Sequence, residues 1–269
     1  MQGLAPSLVA LLASCSTACV ADVVEKPGWK RHFDARGLEG TFVLYQPAQD
    51  RYLVYDEPRA RHGYLPASTF KIPNALIGLE VGSIRDENEV FKWDGKPKPR
   101  RAWERDHTLD SGMQESVVWM FQEVARRTGK ARMRAWVKRF EYGNQDIGGG
   151  IELFWLQGAM RISAFGQVEF LRKLEEGRLP VSARSRRLVR DALLVEKSGA
   201  YALYAKTGTT GAVREPVMWW VGWVEKGGAP VAYFAMNATL TADARFGDRF
   251  PVSLAILREE GVLPGAKPG

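Results

Sequence analysis

PASTFKIPN, residues 66–74, sets a hydroxyl and an amine three residues apart, at Ser68 and Lys71, where an extended run gives way to helical apolar spacing. If a helix begins here, positions i and i+3 share one face and lie within reach of a hydrogen bond. Ser68 then stands at the positive end of that helix, where free amides favour developing negative charge. Pro73 suits a first turn better than a helix interior. Two readings stay open: a nucleophile beside its base, or a capping serine beside a surface lysine. Four residues alone do not choose between them.

The same stretch divides the chain. Upstream, GTFVLYQ (40–46) and RYLVYD (51–56) are β-branched and aromatic runs separated by PAQD, which predicts a hairpin. Downstream, ALIGLEVG continues a short helix, and QESVVWMFQEVARRTG (114–129) sets Val117, Met120, Phe121, Val124 and Ala125 at helical spacing. ARMRAWVKRFEYGN (131–144) and AFGQVEFLRKLEEG (164–177) predict two more helices. From residue 201, YALYAKTG, PVMWWVGWVEKGG and APVAYFAMNA return to strand-like runs joined by glycine turns, and RFPVSLAILREEGV is helical again. A hairpin at 40–56 cannot bury itself alone. The pattern therefore predicts an α+β fold, with an antiparallel sheet built from both chain ends, flanked by helices, and a mainly helical insert. We expect one domain over residues 22–269, with 22–75 and 185–269 as the sheet subdomain and 76–184 as the helical one.

A chain of 269 residues with 45% apolar content supports a substantial core. Its net charge of +7 attracts anions of every kind and selects none. The densest positive run, FKWDGKPKPRR (91–101), is broken by aspartate, glycine and prolines, and reads as a solvated loop rather than a nucleic-acid footprint. Both cysteines, Cys15 and Cys19, fall in MQGLAPSLVALLASCSTACVADV, which is uncharged until Asp22. Residues 1–21 read as an export segment, although a positively charged start is missing. LASC (12–15) resembles a bacterial lipobox, so a lipid anchor at Cys15 stands beside simple cleavage near residues 19–21. A periplasmic location, soluble or lipid-anchored, is expected, with no disulfide once the segment is removed. No later run approaches the ~20 apolar residues that a membrane span requires.

Two further stretches bear on Ser68 and Lys71. Ser116, in SVV, falls near the start of the central helix and by itself reads as a cap. Lys206, Thr207 and Gly208 form a KTG in what reads as an edge strand, where the glycine allows a ligand's backbone to approach. The Thr209 N–H could pair with the Ser68 N–H as a two-amide oxyanion hole. Each stretch is weak alone; in this order, with Ser68 before a helical insert and Lys206 after it, the set is strong. His32, His62 and His107 are isolated, without metal-ligand spacing, and read as surface or locally paired residues.

PASTFK, SVV, YGN (142–144) and KTG together resemble the motif set of the class D, or oxacillinase-type, serine β-lactamases, a resemblance that runs from residue 66 through the terminal helix. It implies a β-lactamase/transpeptidase-like fold and β-lactam small-molecule substrates. Ser68 would be the nucleophile and Lys71, carboxylated by carbon dioxide, the general base. Val118, Trp155 and Phe70 would enclose that carbamate, with the Trp155 indole N–H as its donor. Ser116, hydrogen-bonded between Lys71 and Lys206, would relay a proton to the leaving nitrogen with Lys206 supporting it, and Lys206, Thr207, Gly208 and Arg249 would hold the substrate, with Arg245 a rival for its carboxylate. Tyr142 and Asn144 would form a wall, and Met113 or Leu156 would border the substrate side chain. No metal or organic cofactor is implied. The chain departs from the family in placing Thr209 where an aromatic residue is common. Rival readings are a penicillin-binding or sensor protein that deacylates slowly, and a non-catalytic basic module binding envelope polymer.

Overall fold

The computed structural model describes residues 21–241 and 244–265. The expected export segment, apart from Ala21, and both cysteines lie outside the described residues.

A seven-stranded sheet has the order β1-β3-β2-β7-β6-β5-β4, from Asp22–Glu25 (β1), Gly40–Gln46 (β2), Arg51–Tyr55 (β3), Leu194–Lys197 (β4), Ala202–Thr209 (β5), Val217–Lys226 (β6) and Ala229–Thr239 (β7). The hairpin β2–β3 forms where its β-branched runs predict it, and β2 pairs antiparallel with β7, so the two chain ends meet inside one sheet. Only β1 runs parallel to its neighbour, β3. β6 is buried along nearly its whole length because both faces of the sheet are covered. Trp219, Val221 and Trp223 enter the core shared with the helical insert, while Met218, Trp220 and Val224 face a second core beneath the C-terminal helix Arg249–Glu259. The three strand tryptophans are thus packing residues, with Trp220 edge-on to Phe250 and Trp223 stacked on Tyr204.

The helices Lys71–Glu80 and Val118–Thr128 pack side by side and are pinned by the buried Asn74 amide donating to the Phe121 carbonyl at 2.9 Å. Two elements blur the division between sheet and insert. Helix Ala164–Glu175, counted with the insert from the sequence, lies against β2, β6 and β7, and helix Ala183–Ala192 packs on the insert helices. β5 is not a bare edge strand: β4 covers its first half, pairing with Ala202, Leu203 and Tyr204. Residues 206–209 remain unpaired on that side, and there the nucleophile turn approaches. An added Cβ at Gly208 would come within 2.9 Å of the Pro66 carbonyl oxygen.

Candidate active site

Ser68 sits in a tight turn, Ala67–Phe70, that runs into helix Lys71–Glu80. Ala67 holds a left-handed φ of 49°, a conformation that costs about 1–3 kcal/mol for a non-glycine residue and persists only where surrounding contacts enforce it. Those contacts are present. The Ala67 N–H donates to the Trp155 carbonyl at 2.9 Å, and the Trp219 indole donates to the Leu65 carbonyl at 2.9 Å. Thr69 Oγ1 donates to the Pro66 carbonyl and accepts from buried Gln167, whose carbonyl oxygen meets the Tyr142 hydroxyl at 3.4 Å.

The Ser68 side chain caps nothing, and Lys71 is not a surface residue. Lys71 is 1% exposed and its Nζ lies 2.5 Å from Ser68 Oγ. Burial, then the nearby charges of Lys206 and Arg100, push its amine well below the ordinary lysine range, which favours the neutral form that can accept a proton. The capping reading of Ser116 also fails. Its backbone is left-handed (φ 55°), it precedes the helix that begins at Val118, and its Oγ accepts from Lys206 Nζ at 3.0 Å. Lys206 Nζ also reaches the Thr207 carbonyl at 3.2 Å, and burial followed by Arg249 and Arg100 pushes its amine down to about 7. Lys71 and Ser116 share no hydrogen bond among the described residues, so the structure forms two pairs, Ser68 with Lys71 and Ser116 with Lys206, rather than one continuous relay.

These pairs open onto a cavity of about 410 Å³ lined by Ser68, Ser116, Val118, Leu156, residues 207–209 and Arg249, with Arg100, Trp103 and Phe246 at the remaining wall. Arg249 Nη1 lies 2.9 Å from Thr209 Oγ1, and burial pulls its guanidinium down to about 10. Arg245 is exposed and does not line the cavity. Antiparallel hydrogen bonding alternates along a strand. Because Thr210 bonds to Val217 across the β5–β6 ladder, the Thr209 N–H points to the open edge, toward the turn that carries Ser68. The Ser68 N–H itself has no acceptor among the described residues.

Phe70 is buried, stacked on Trp155 and edge-on to Phe154 and Tyr142. Trp155 Nε1 is buried without a hydrogen-bond partner among the described residues. Asn144 ties its turn to Ala159 and Arg161, Tyr142 is fully buried, and neither lines the cavity. Met113 is a core residue away from the cavity, and Leu156 lines it. Arg100, Trp103 and Phe246 were not singled out from the sequence, and Gln167 lay unremarked within a helix. Among the described residues no group of His, Cys, Asp and Glu side chains is placed to hold a metal ion, and no helix is long and apolar enough to cross a membrane. His32 meets Glu259, His62 lies 3.5 Å from Glu215, and His107 is buried between Ser111 and the Ala102 carbonyl.

Known proteins resemble this chain in sequence and in fold. The family model for the penicillin-binding protein transpeptidase domain matches residues 40–257. β-Lactamase OXA-10 of Pseudomonas aeruginosa is 44% identical over 253 residues, 93% of this chain and 95% of that one. β-Lactamase OXA-48 of Klebsiella pneumoniae is 42% identical over 98% of this chain and its own full length. The crystal structure of the class D β-lactamase YbXI from Nostoc superposes with a TM-score of 0.84 at 33% identity, covering 87% of this chain and 99% of that one. With the fold, the sequence identity and the near-complete coverage in agreement, this chain belongs to the class D β-lactamase family.

Proposed function

We propose that the protein hydrolyses β-lactams through an acyl-enzyme on Ser68. The observation that carries this reading is the buried Lys71 amine 2.5 Å from Ser68 Oγ, in surroundings that disfavour its charged form. Lys71 takes the Ser68 proton as Oγ attacks the lactam carbonyl, and the Ser68 and Thr209 N–H groups receive the oxyanion. Ser116 passes a proton to the ring nitrogen as the C–N bond breaks, with Lys206 resupplying Ser116. Thr207 and Arg249 bind the ring carboxylate. Before deacylation Lys71 releases to solvent the proton taken from Ser68, and Lys206 regains one from solvent. Water then gives a proton to the base at Lys71 as it attacks the ester, and that proton passes to Ser68 Oγ as the ester bond breaks.

Carboxylation of Lys71 fits these residues. Only a neutral amine attacks carbon dioxide, and burial shifts Lys71 toward that form. A buried anion needs donors, and Trp155 Nε1, in the same aromatic cluster as Phe70, is a buried donor without a partner. When present, the carbamate supplies an anionic oxygen as the base for both halves of the reaction. Val118 would close the pocket on its cavity side. We further assign export to the periplasm to residues 1–21, with Cys15 as the anchoring position of a lipidated form, and the catalytic domain to residues 22–269.

A time course with oxacillin, following ring opening by absorbance and the adduct by intact mass, tests this function. Many turnovers per enzyme are expected. One stoichiometric burst with a long-lived adduct would place the chain among slow penicillin-binding proteins, and no adduct would remove Ser68 from the chemistry.

A further inference from the structure

Arg100 comes from the run that reads as a solvated loop, yet it lines the catalytic cavity. Its backbone is fixed: the Trp103 N–H donates to the Arg100 carbonyl at 2.9 Å, and the Trp103 indole is anchored on the Glu115 carbonyl at 2.9 Å. The guanidinium lies 5.8 Å from the Trp103 ring centroid and reaches the Glu115 carbonyl only at 3.5 Å. Two cations of the same run are paired, Lys92 with Asp106 and Lys98 with Asp94, and of the others only Arg100 lines the cavity. Arg100 has no carboxylate partner among the described residues, and no acidic side chain lines the cavity. Its charge is felt by Lys71, Lys206 and Arg249 alike, which places it over the site rather than on a remote surface.

Building on the proposed function, we propose that Arg100 is a second anion-recognition residue, which with Trp103 favours β-lactams carrying a carboxylate on the acylamino side chain in addition to the ring carboxylate. A monoanionic substrate satisfies Arg249 and Lys206 and leaves Arg100 facing solvent. A dianion meets Arg100 as well, and the planar guanidinium beside the Trp103 indole matches a carboxylate bidentately.

The test compares benzylpenicillin with its α-carboxybenzyl analogue, which differs by that one carboxylate, on the wild type, Arg100→Ala and Arg100→Lys. Arg100→Ala is expected to lower kcat/KM for the dianion about fivefold more than for the monoanion, as an exposed ion pair implies. Arg100→Lys should retain part of the preference, and added salt should shrink it in the wild type. An equal loss on both substrates, or a preference indifferent to salt, overturns the proposal and leaves Arg100 a structural residue of the wall. If the enzyme acylates without turning over, acylation rates by intact mass replace kcat/KM and decide the same comparison. If the wild type is not acylated by benzylpenicillin at all, the proposed function fails and the subsite fails with it.

Discussion

Gly208→Ala tests how tightly the nucleophile turn is clamped on β5. The new Cβ would stand 2.9 Å from the Pro66 carbonyl oxygen, 3.1 Å from Thr69 Cγ2 and 3.3 Å from Thr69 N, against an ordinary contact distance of 3.4 Å or more. Strand and turn must therefore separate by about half an ångström. The turn cannot slide away freely, because Leu65, Ala67 and Thr69 are tied to Trp219, Trp155 and Gln167. Separation widens the gap between the Ser68 and Thr209 amides. A 1 Å misplacement costs about a hundredfold, so half that distance predicts roughly tenfold slower acylation. Overpacking adds about 1–3 kcal/mol of destabilisation, which for a chain of this size is several degrees in Tm. Single-turnover acylation by stopped flow and thermal unfolding measure the two effects. A variant that acylates at the wild-type rate with an unchanged Tm would refute the clamp.

Trp155→Phe keeps an aromatic ring against Phe70 but deletes the unpartnered donor. Deacylation is expected to slow at low bicarbonate and recover in part when bicarbonate is added, and a bicarbonate response equal to the wild type's would remove Trp155 from the pocket. Glu175 offers a pH prediction away from the site. It shares Arg190 with Glu225, at 3.3 Å and 2.6 Å respectively. Burial raises its carboxyl; Arg190 opposes this, Glu225 adds to it, and the group settles at about 7 rather than the ordinary 4.5. The folded state thus keeps a proton that the unfolded chain has lost, so the stability is present at low pH and fades as pH rises through about 7, by roughly 3 kcal/mol. Glu175→Gln should lose less stability than the wild type between about pH 5 and 8 in urea titrations; parallel curves would contradict this.

The central strands were legible because their signals are local. GTFVLYQ, RYLVYD and the apolar run of β6 carry β-branched and aromatic side chains that suit buried strands. Edge strands β1 and β4 were missed: each has four residues, and charged positions dilute their pattern. Helix Ala183–Ala192 was missed because its arginines obscure a narrow stripe of Leu188, Val189 and Ala192, although Ser182 marks its start as a cap. In the site, motif identity and order were readable, whereas the environment was not. Whether Lys71 is on the surface or buried depends on helix Val118–Thr128 and Trp155, which are remote in sequence. Likewise, the left-handed turn at Ser116 has no glycine to announce it, and Arg100 gains its meaning only when its loop folds over the cavity.

The most direct test of the account is turnover of oxacillin by the purified protein, with and without bicarbonate, across roughly pH 5 to 8, the range spanned by a desolvated lysine. If the Lys71 carbamate is the base for both acylation and deacylation, activity falls as acid strips it and bicarbonate restores it. Identical progress curves with and without bicarbonate at every pH would contradict the carboxylated base and leave the neutral amine to act alone.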